Sequence, residues 1–251
     1  NTPLLVNITY AVGGTGTGGS VTGLPAGVTG VFAGGVITIS GTPTAPGVFK
    51  YTALTTGPCV IPTAAGSITV TADGTLTLTS AVGTDNQSIC INVPITNITY
   101  AVGGTGTGGS VSGLPPGVTG VFAGGVITIS GTPTSTAGSP FIYTVTTTGP
   151  CVIPTTTGTL TVNPDASIVL TSAGPTTSQE LCRNSAITDI TYAISGGGTG
   201  AGVVFTPPLP GVTGVYAGGV FTISGTPTVA GTFNYTVTTT GTCVQNSLSG
   251  N

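Results

Sequence analysis

The sequence predicts an all-β protein of tandem β-sandwich domains arranged as a rod-like array. Three observations lead to this prediction. One stretch occurs three times, at 23–44, 113–134 and 208–228, and the tyrosines Tyr10, Tyr100 and Tyr192 recur 90 and 92 residues apart (100 − 10 and 192 − 100). Short alternating runs of β-prone residues are separated by glycine and proline turns, and no segment has helical periodicity. A repeat of this length fits one small sandwich, whereas solenoid repeats span roughly 20–50 residues.

The repeated stretch is a turn, a hairpin and a second turn. Two short β-prone runs flank a Gly-Gly pair in each copy, and only glycine adopts φ > 0 at both central positions of a tight hairpin without steric cost. A Ser-Gly-Thr-Pro-Thr segment ends the second strand, because proline cannot donate to a ladder. The predicted turn glycines are Gly34, Gly35, Gly124, Gly125, Gly218 and Gly219.

A second repeated strand carries Phe and Tyr two residues apart, as in Phe49-Lys50-Tyr51. Side chains alternate between the two faces of a strand, so the Phe and Tyr positions share one face. The position between them holds Lys50, Ile142 or Asn234 in the three copies. We therefore expect the aromatic face to be core and the other face to meet solvent.

These patterns divide the chain into three β-sandwich repeats. Residues 1–71 form a repeat without its first strands, residues 72–163 a complete repeat, and residues 164–251 a repeat with an incomplete last strand. Each offers about seven short strands, the number in a two-sheet sandwich. The absence of methionine and the start at Asn1 favour a mature fragment of something longer.

The charge content excludes several classes of function. Charged residues are 3% of the chain, against roughly 25% in ordinary globular proteins. No basic patch exists for a phosphate backbone, so we expect no nucleic-acid partner. No apolar run is long enough to span a membrane. With no histidine and seven scattered ionic side chains, we predict no catalytic residues and no enzyme.

The linkers between repeats are poor candidates for calcium sites. Each offers one carboxylate, Asp73 or Asp165, whereas calcium takes six to eight oxygen ligands. We interpret both aspartates as turn residues rather than inter-domain calcium ligands. The chain has no histidine and no Cys-x-x-Cys pair, so we expect no metal site and no cofactor.

The five cysteines indicate disulfides, and hence an extracellular or cell-surface location. They are Cys59, Cys90, Cys151, Cys182 and Cys243. If the second strand of a repeat returns to the end where the chain enters, Cys90 can reach Cys151, and Cys182 can reach Cys243. Bonded cysteines need Cα atoms within roughly 7 Å. A Cys59–Cys90 pair would have to bridge two strand lengths across a linker, so we reject that pairing. The predicted partner of Cys59 falls just before Asn1.

The Gly-Leu-Pro-Pro-Gly-Val, Ile-Ser-Gly-Thr-Pro-Thr and Phe-x-Tyr-Thr-Val-Thr segments resemble the Ig-like repeat of bacterial surface proteins. The Thr-rich form here, with Asn-Ile-Thr-Tyr-Ala-Val-Gly-Gly, is most similar to tandem repeats in giant adhesins of gliding Bacteroidetes-type bacteria. The resemblance covers essentially the whole chain. It implies export by the type IX route, a row of Ig-like modules and no catalytic residues.

The sequence therefore predicts a structural stalk or filament segment of a secreted adhesin, whose partners are neighbouring Ig-like repeats of the same chain or fibre. One alternative is a carbohydrate- or surface-binding module in which loops such as 13–20 contact polysaccharide. Another is a polymerising subunit of an extracellular filament, in which neighbouring chains complete the strands at Asn1 and Asn251.

Overall fold

The computed structural model describes residues 6–59 and 61–251. The start of the first predicted repeat, at residues 1–5, and Val60 lie outside the described residues. Within the described ranges the structure consists of β-strands and turns, and one 3₁₀ turn, Gly174–Thr177, is the sole helical element. Each of the three predicted repeats supplies two sheets.

The chain forms two compact units. Unit 1 comprises the described residues up to Leu76 together with 102–109 and 147–154. Unit 2 comprises 77–101, 110–146 and 155–251. The third repeat and most of the second therefore belong to one body, and the linker between them lies inside that body.

The first repeat forms two three-stranded sheets, with the orders β1-β4-β3 and β2-β5-β6. Their pairings are antiparallel. The strands are β1 (Ile8–Ala11), β2 (Gly18–Thr22), β3 (Val28–Ala33), β4 (Val36–Gly41), β5 (Gly47–Thr56) and β6 (Thr63–Val70).

The second repeat has two four-stranded sheets, with the orders β11-β12-β9-β7 and β10-β13-β14-β8. Strand β8 pairs with β14 in parallel, whereas β13 and β14 pair antiparallel. The strands are β7 (Thr75–Leu78), β8 (Asn86–Cys90), β9 (Ile98–Gly103), β10 (Gly108–Ser112), β11 (Val118–Ala123), β12 (Val126–Gly131), β13 (Phe141–Thr148) and β14 (Thr155–Asn163).

The third repeat has a four-stranded sheet, β15-β16-β19-β18, and a three-stranded sheet, β17-β20-β21. The described part of this repeat contains no strand at the position equivalent to β8. The strands are β15 (Ala166–Leu170), β16 (Ile190–Gly196), β17 (Gly198–Thr206), β18 (Val212–Ala217), β19 (Val220–Gly225), β20 (Asn234–Gly241) and β21 (Ser247–Gly250).

The Gly-Gly pairs form the turns of three equivalent hairpins. In the β3–β4 hairpin, Ala33 pairs with Val36, which leaves Gly34 and Gly35 as the two-residue loop. Their φ angles are +58° and +77°, the left-handed region that a two-residue turn of type I′ requires. The turns at Gly124-Gly125 and Gly218-Gly219 have the same signs.

The predicted aromatic face does supply the core. Tyr51, Tyr143 and Tyr235 are buried, and Lys50 between the first Phe and Tyr is exposed. In each repeat this tyrosine joins a tyrosine of the other sheet through a hydroxyl–hydroxyl hydrogen bond of 2.9 to 3.2 Å. The pairs are Tyr10–Tyr51, Tyr100–Tyr143 and Tyr192–Tyr235.

A glycine on the neighbouring strand makes room for each of these hydroxyls. Tyr143 pairs with Gly158 across β13 and β14, and a Cβ at Gly158 would collide with the Tyr143 hydroxyl and with the Asp85 carbonyl oxygen. The same relation holds between Tyr51 and Gly66 and between Tyr235 and Gly250. These strand glycines are therefore packing residues rather than turn residues.

We expect Gly158→Ala to destabilise the second repeat by about 1–3 kcal/mol, because the added methyl overpacks a rigid site. Urea unfolding followed by circular dichroism measures the change. Gly202→Ala is the matched control, since Gly202 lies in strand β17 with open space at its Cβ position. An unfolding midpoint of Gly158→Ala equal to that of the control would contradict the packing role.

We also expect stability to fall at alkaline pH. The hydrogen bond with Tyr10, together with burial, raises the pKa of Tyr51 to about 12, and burial raises the pKa of Tyr143 and Tyr235 above 10. Unfolded tyrosine loses its proton near pH 10, so above that pH the unfolded chain binds fewer protons than the folded chain. The contribution of these tyrosines to the free energy of unfolding should be fully present below pH 10 and decrease between about pH 10 and 12. Tyrosinate absorbance with urea midpoints checks this, and a flat stability profile across the window would contradict it.

Candidate functional site: the bridged domain junction

The junction between the second and third repeats brings together residues far apart in sequence. Cys90 forms a disulfide with Cys243, 153 residues further along the chain, and their Cα atoms are 5.5 Å apart. Both cysteines belong to unit 2. The bond therefore crosses from one repeat to the next within a single compact body.

Cys90 reaches the junction because β8 runs parallel to β14. Cys90 lies level with Asn163, the last residue of β14. The Asn163 side-chain amide donates to the Ser88 hydroxyl at 2.9 Å and to the Ile89 carbonyl at 3.2 Å. The Asn163 backbone carbonyl accepts from the Ile91 backbone amide at 2.9 Å. The exit from the second repeat is thus fixed to the segment that carries Cys90.

Cys243 reaches the junction because the β20–β21 loop lies where the chain enters the third repeat. The Ala166 amide donates to the Val244 carbonyl at 2.9 Å. The Val244 amide donates to the Asp165 carboxylate at 3.2 Å, and the Asn246 side chain donates to the Ala166 carbonyl. The aspartate of the linker is therefore an acceptor for this loop.

Glycines of the following repeat pack directly against the linker backbone. A Cβ at Gly196 would collide with the Asp165 carbonyl oxygen, and one at Gly197 with the Pro164 carbonyl oxygen. Gly196 also has φ +64°, and the Gly197 amide donates to the Asp165 carbonyl at 3.0 Å. Only Pro164 and Asp165 separate β14 from β15, so the linker has little freedom.

The first linker, within unit 1, has equivalent contacts. The Gly74 amide donates to the Val152 carbonyl at 3.2 Å, the counterpart of the Ala166–Val244 bond. The Thr105 hydroxyl donates to the Ala72 carbonyl at 2.6 Å, and a Cβ at Gly104 would collide with the Asp73 carbonyl oxygen. Residues 103–110 of the second repeat are the counterpart of loop 13–20, the candidate polysaccharide contact. This loop thus contacts the preceding linker.

The predicted pairs Cys90–Cys151 and Cys182–Cys243 are wrong. The prediction assumed that the strand before Cys90 returns to the entry end, whereas β8 is parallel to β14 and ends at its exit. Cys151 precedes the first residue of β14, and a nine-residue strand extends roughly 25–30 Å. A Cys90–Cys151 bond would have to span the length of β14, because Cys90 lies at one end of that strand and Cys151 at the other.

The other three cysteines are unbonded in the structure. Cys59 and Cys182 are exposed, and Cys151 is partly buried. The predicted partner of Cys59 lies outside the sequence, so that part stays a prediction. The six turn glycines remain in their own hairpins and are not brought to the junction.

Within the part of the chain that the structure describes, no three His, Cys, Asp or Glu side chains lie close enough together to hold a metal ion. A search of the same residues finds no helix with the length and apolarity needed to cross a membrane. What the junction can do chemically is to hold two repeats together covalently.

Sequence reasoning missed the residues that position the cysteines. Asn163 and Asn246 act through their side-chain amides, and neither recurs at the first linker, where the equivalent residues differ. No repeat signal could have identified them. The repeated Pro-Cys-Val and Thr-Cys-Val segments did identify the loop that carries Cys151 or Cys243. They did not indicate whether its bonding partner lies in the same repeat or in the preceding one.

We expect Cys90→Ser to loosen the junction and to lower the stability of the third repeat by on the order of 4–5 kcal/mol, the contribution of closing a loop of this size. Thermal unfolding under non-reducing conditions measures the change, and Cys59→Ser is the control because Cys59 is exposed and unbonded. Non-reducing peptide mapping of the unmodified chain should recover Cys90 joined to Cys243. A peptide joining Cys90 to Cys151 would contradict the structure.

Comparison with solved structures places this architecture among tandem Ig domains. The chain is similar to the I-band fragment I67-I69 from titin, with a TM-score of 0.66 over 99% of this chain and 91% of that chain, at 10% identity. A variant of that three-Ig fragment with E-to-A mutations gives a TM-score of 0.65 over 98% and 90%, at 11% identity. No family model matches the sequence, and no curated protein does. At such identities the likeness shows the fold alone: the protein is all-β, built of tandem Ig-like β-sandwich domains.

Proposed function

We propose that this chain is a non-catalytic structural segment of a secreted bacterial cell-surface adhesin, serving as a stalk or filament section. The observation that carries the proposal is the disulfide between Cys90 and Cys243, which joins consecutive repeats rather than two strands of one repeat. A bond at this position does not stabilise a pocket. It resists the separation of two repeats.

The covalent path through the bond gives this arrangement a mechanical role. When the chain is pulled at its ends, force passes from Cys90 to Cys243 and bypasses the residues between them. Most of the second repeat and most of the third therefore cannot be extended while the disulfide is intact. The two-residue linker, held by Asn163 and Asp165 on opposite sides, limits bending at the same point.

The finer identity is supported by the sequence resemblance. The Gly-Leu-Pro-Pro-Gly-Val and Ile-Ser-Gly-Thr-Pro-Thr segments resemble those of Ig-like repeats in adhesins of gliding bacteria. Secretion by the type IX route, a surface location and a role in adhesion or motility are parts of the proposal. The disulfide is consistent with an oxidising exterior.

The polysaccharide-binding alternative has less support. In the second repeat the loop that would make the contact carries Gly104 and Thr105, which pack on the linker through the Asp73 and Ala72 carbonyls. A loop used in this way offers less surface to a ligand. In the structural role, the contacts of Gly104 and Thr105 with the linker carbonyls hold the linker in place.

Single-molecule pulling of the chain by its ends tests the proposal. We expect full extension of the oxidised chain to be shorter than that of Cys90→Ser by roughly 500 Å, the length of about 150 extended residues. Cys59→Ser should extend like the unmodified chain. Equal extensions of the oxidised chain and Cys90→Ser would show that the bond carries no load and would end the structural reading.

A further inference from the structure

The third repeat has an edge strand that is longer than its counterparts. Strand β17 spans nine residues, whereas β2 and β10 span five residues each. In the sheets formed by the described residues, each of these strands is the outermost one and has a neighbour on one side only. Such a strand leaves the N–H and C=O groups of alternate residues without a partner in its sheet.

A glycine follows each of the two shorter edge strands, and the third repeat has a different residue at that position. Gly23 follows β2 and Gly113 follows β10, with φ angles of +80° and +79°. A Cβ at either glycine would collide with a carbonyl of the neighbouring strand, next to its buried tyrosine. At the equivalent position the third repeat has Phe205, which pairs with Tyr235, and the strand continues to its next residue. The longer edge is therefore specific to the sequence of this repeat.

Strand β17 has few of the features that keep the edges of natural sheets apart. The usual features are charged side chains, prolines within the strand and a loop that covers the edge. Strands β17, β20 and β21 contain no Asp, Glu, Lys or Arg. A bulge lies at Gly198 and Gly200, and the pairing with β20 is regular from there to Thr206. Among the described residues, no backbone group outside the strands bonds to this regular part, so its edge is open.

The regular part of β17 has a small half and a bulky half. Its first three residues are Gly200-Ala201-Gly202 and its last three are Val204-Phe205-Thr206, with Val203 between them. On the outer face, Val204 is 67% exposed, whereas Gly202 has open space where a Cβ would be. On the inner face, Ala201, Val203 and Phe205 pack against the core. Side-chain bulk therefore increases along the strand on both faces.

We propose that this edge is a lateral association site, at which β17 pairs antiparallel with β17 of a second copy of this chain. The two-fold axis passes beside Val203, so that Val204 of each copy lies opposite Gly202 of the other. Residues directly opposite each other in an antiparallel pair share one face, so the outer surface of the sheet continues from one copy to the next. The inference goes beyond the proposed function, because it concerns contacts between chains and not along one chain.

The choice of a second copy as the occupant follows from the two halves of the strand. In the two-fold pairing each bulky residue faces a small one: Phe205 faces Ala201, and Thr206 faces Gly200. A parallel pairing in register would instead place Val204 opposite Val204 and leave Gly202 opposite Gly202. Because the three strands of this sheet carry no charge, no like charges meet across the contact.

The contact is small. A strand segment of this length extends roughly 23 Å, and pairing along it buries less area than the roughly 1,600 Å² of a standard stable interface. We therefore expect a weak dimer that forms at high protein concentration. Chains that are held side by side have a high effective concentration, so a weak contact of this kind suffices between them.

The first test follows association of the oxidised full chain by sedimentation equilibrium between about 10 µM and 1 mM. We expect a reversible equilibrium between monomer and dimer. Hydrogen exchange at the two ends of this range should show alternate amides of 200–206 slowed by roughly threefold or more at the higher concentration. A chain that stays monomeric throughout, or a dimer without slower exchange at 200–206, would overturn the proposal.

Variants on the outer face test the pairing itself. Val204→Lys places a charge at the open edge and should weaken the dimer by roughly tenfold or more. Gly202→Val fills the space that Val204 of the second copy occupies, and it should also weaken the dimer. Val215→Lys is the matched control, because Val215 is a 59% exposed valine on β18, the edge strand of the other sheet.

The control should associate like the unmodified chain, and circular dichroism reports that each variant is folded. Equal weakening by Val204→Lys and Val215→Lys would refute the assignment to β17. A dimer of undiminished strength in Gly202→Val would refute the register about Val203.

The pulling experiment on Cys90→Ser reads one chain at a time and does not depend on a second copy. If the chain does not associate but Cys90→Ser still extends further than the oxidised chain, the lateral site is refuted and the structural function stands. If association occurs through 200–206 but the two extensions are equal, the lateral site stands and the proposed structural function fails.

Discussion

The parallel pairing of β8 with β14 is the constraint on which the rest of unit 2 depends. It holds the last strand of the repeat over the core, so that Leu160 and Val162 are removed from water. The same pairing carries Cys90 to the exit end of the repeat, beside Asn163. Core closure and the covalent junction therefore have one structural cause.

The interior of each repeat is stabilised without charges. Apolar residues from two sheets pack together, and one tyrosine pair per repeat bridges the sheets through its hydroxyls. A buried hydroxyl without a partner would cost about 1–3 kcal/mol, and the pairing avoids that cost. Glycines such as Gly158 admit the hydroxyl, so the high glycine content serves packing as well as turns.

The junction is built from backbone groups more than from side chains. Linker carbonyls rest against Gly104 in one unit and against Gly196 in the other, where any Cβ would collide. Such contacts have fixed geometry, because they involve no rotatable side chain. A disulfide then closes the second junction, and the two features together hold consecutive repeats in a fixed arrangement.

The sequence by itself determined the elements and their faces. Repeated Gly-Gly pairs specified the hairpins because few residues adopt positive φ at two successive positions, and the Phe-x-Tyr alternation identified core positions because strand side chains alternate with period two. The sequence did not determine the cysteine pairing. Whether the segment before Cys90 reverses or runs parallel to β14 depends on contacts between residues about seventy positions apart, which no local pattern encodes.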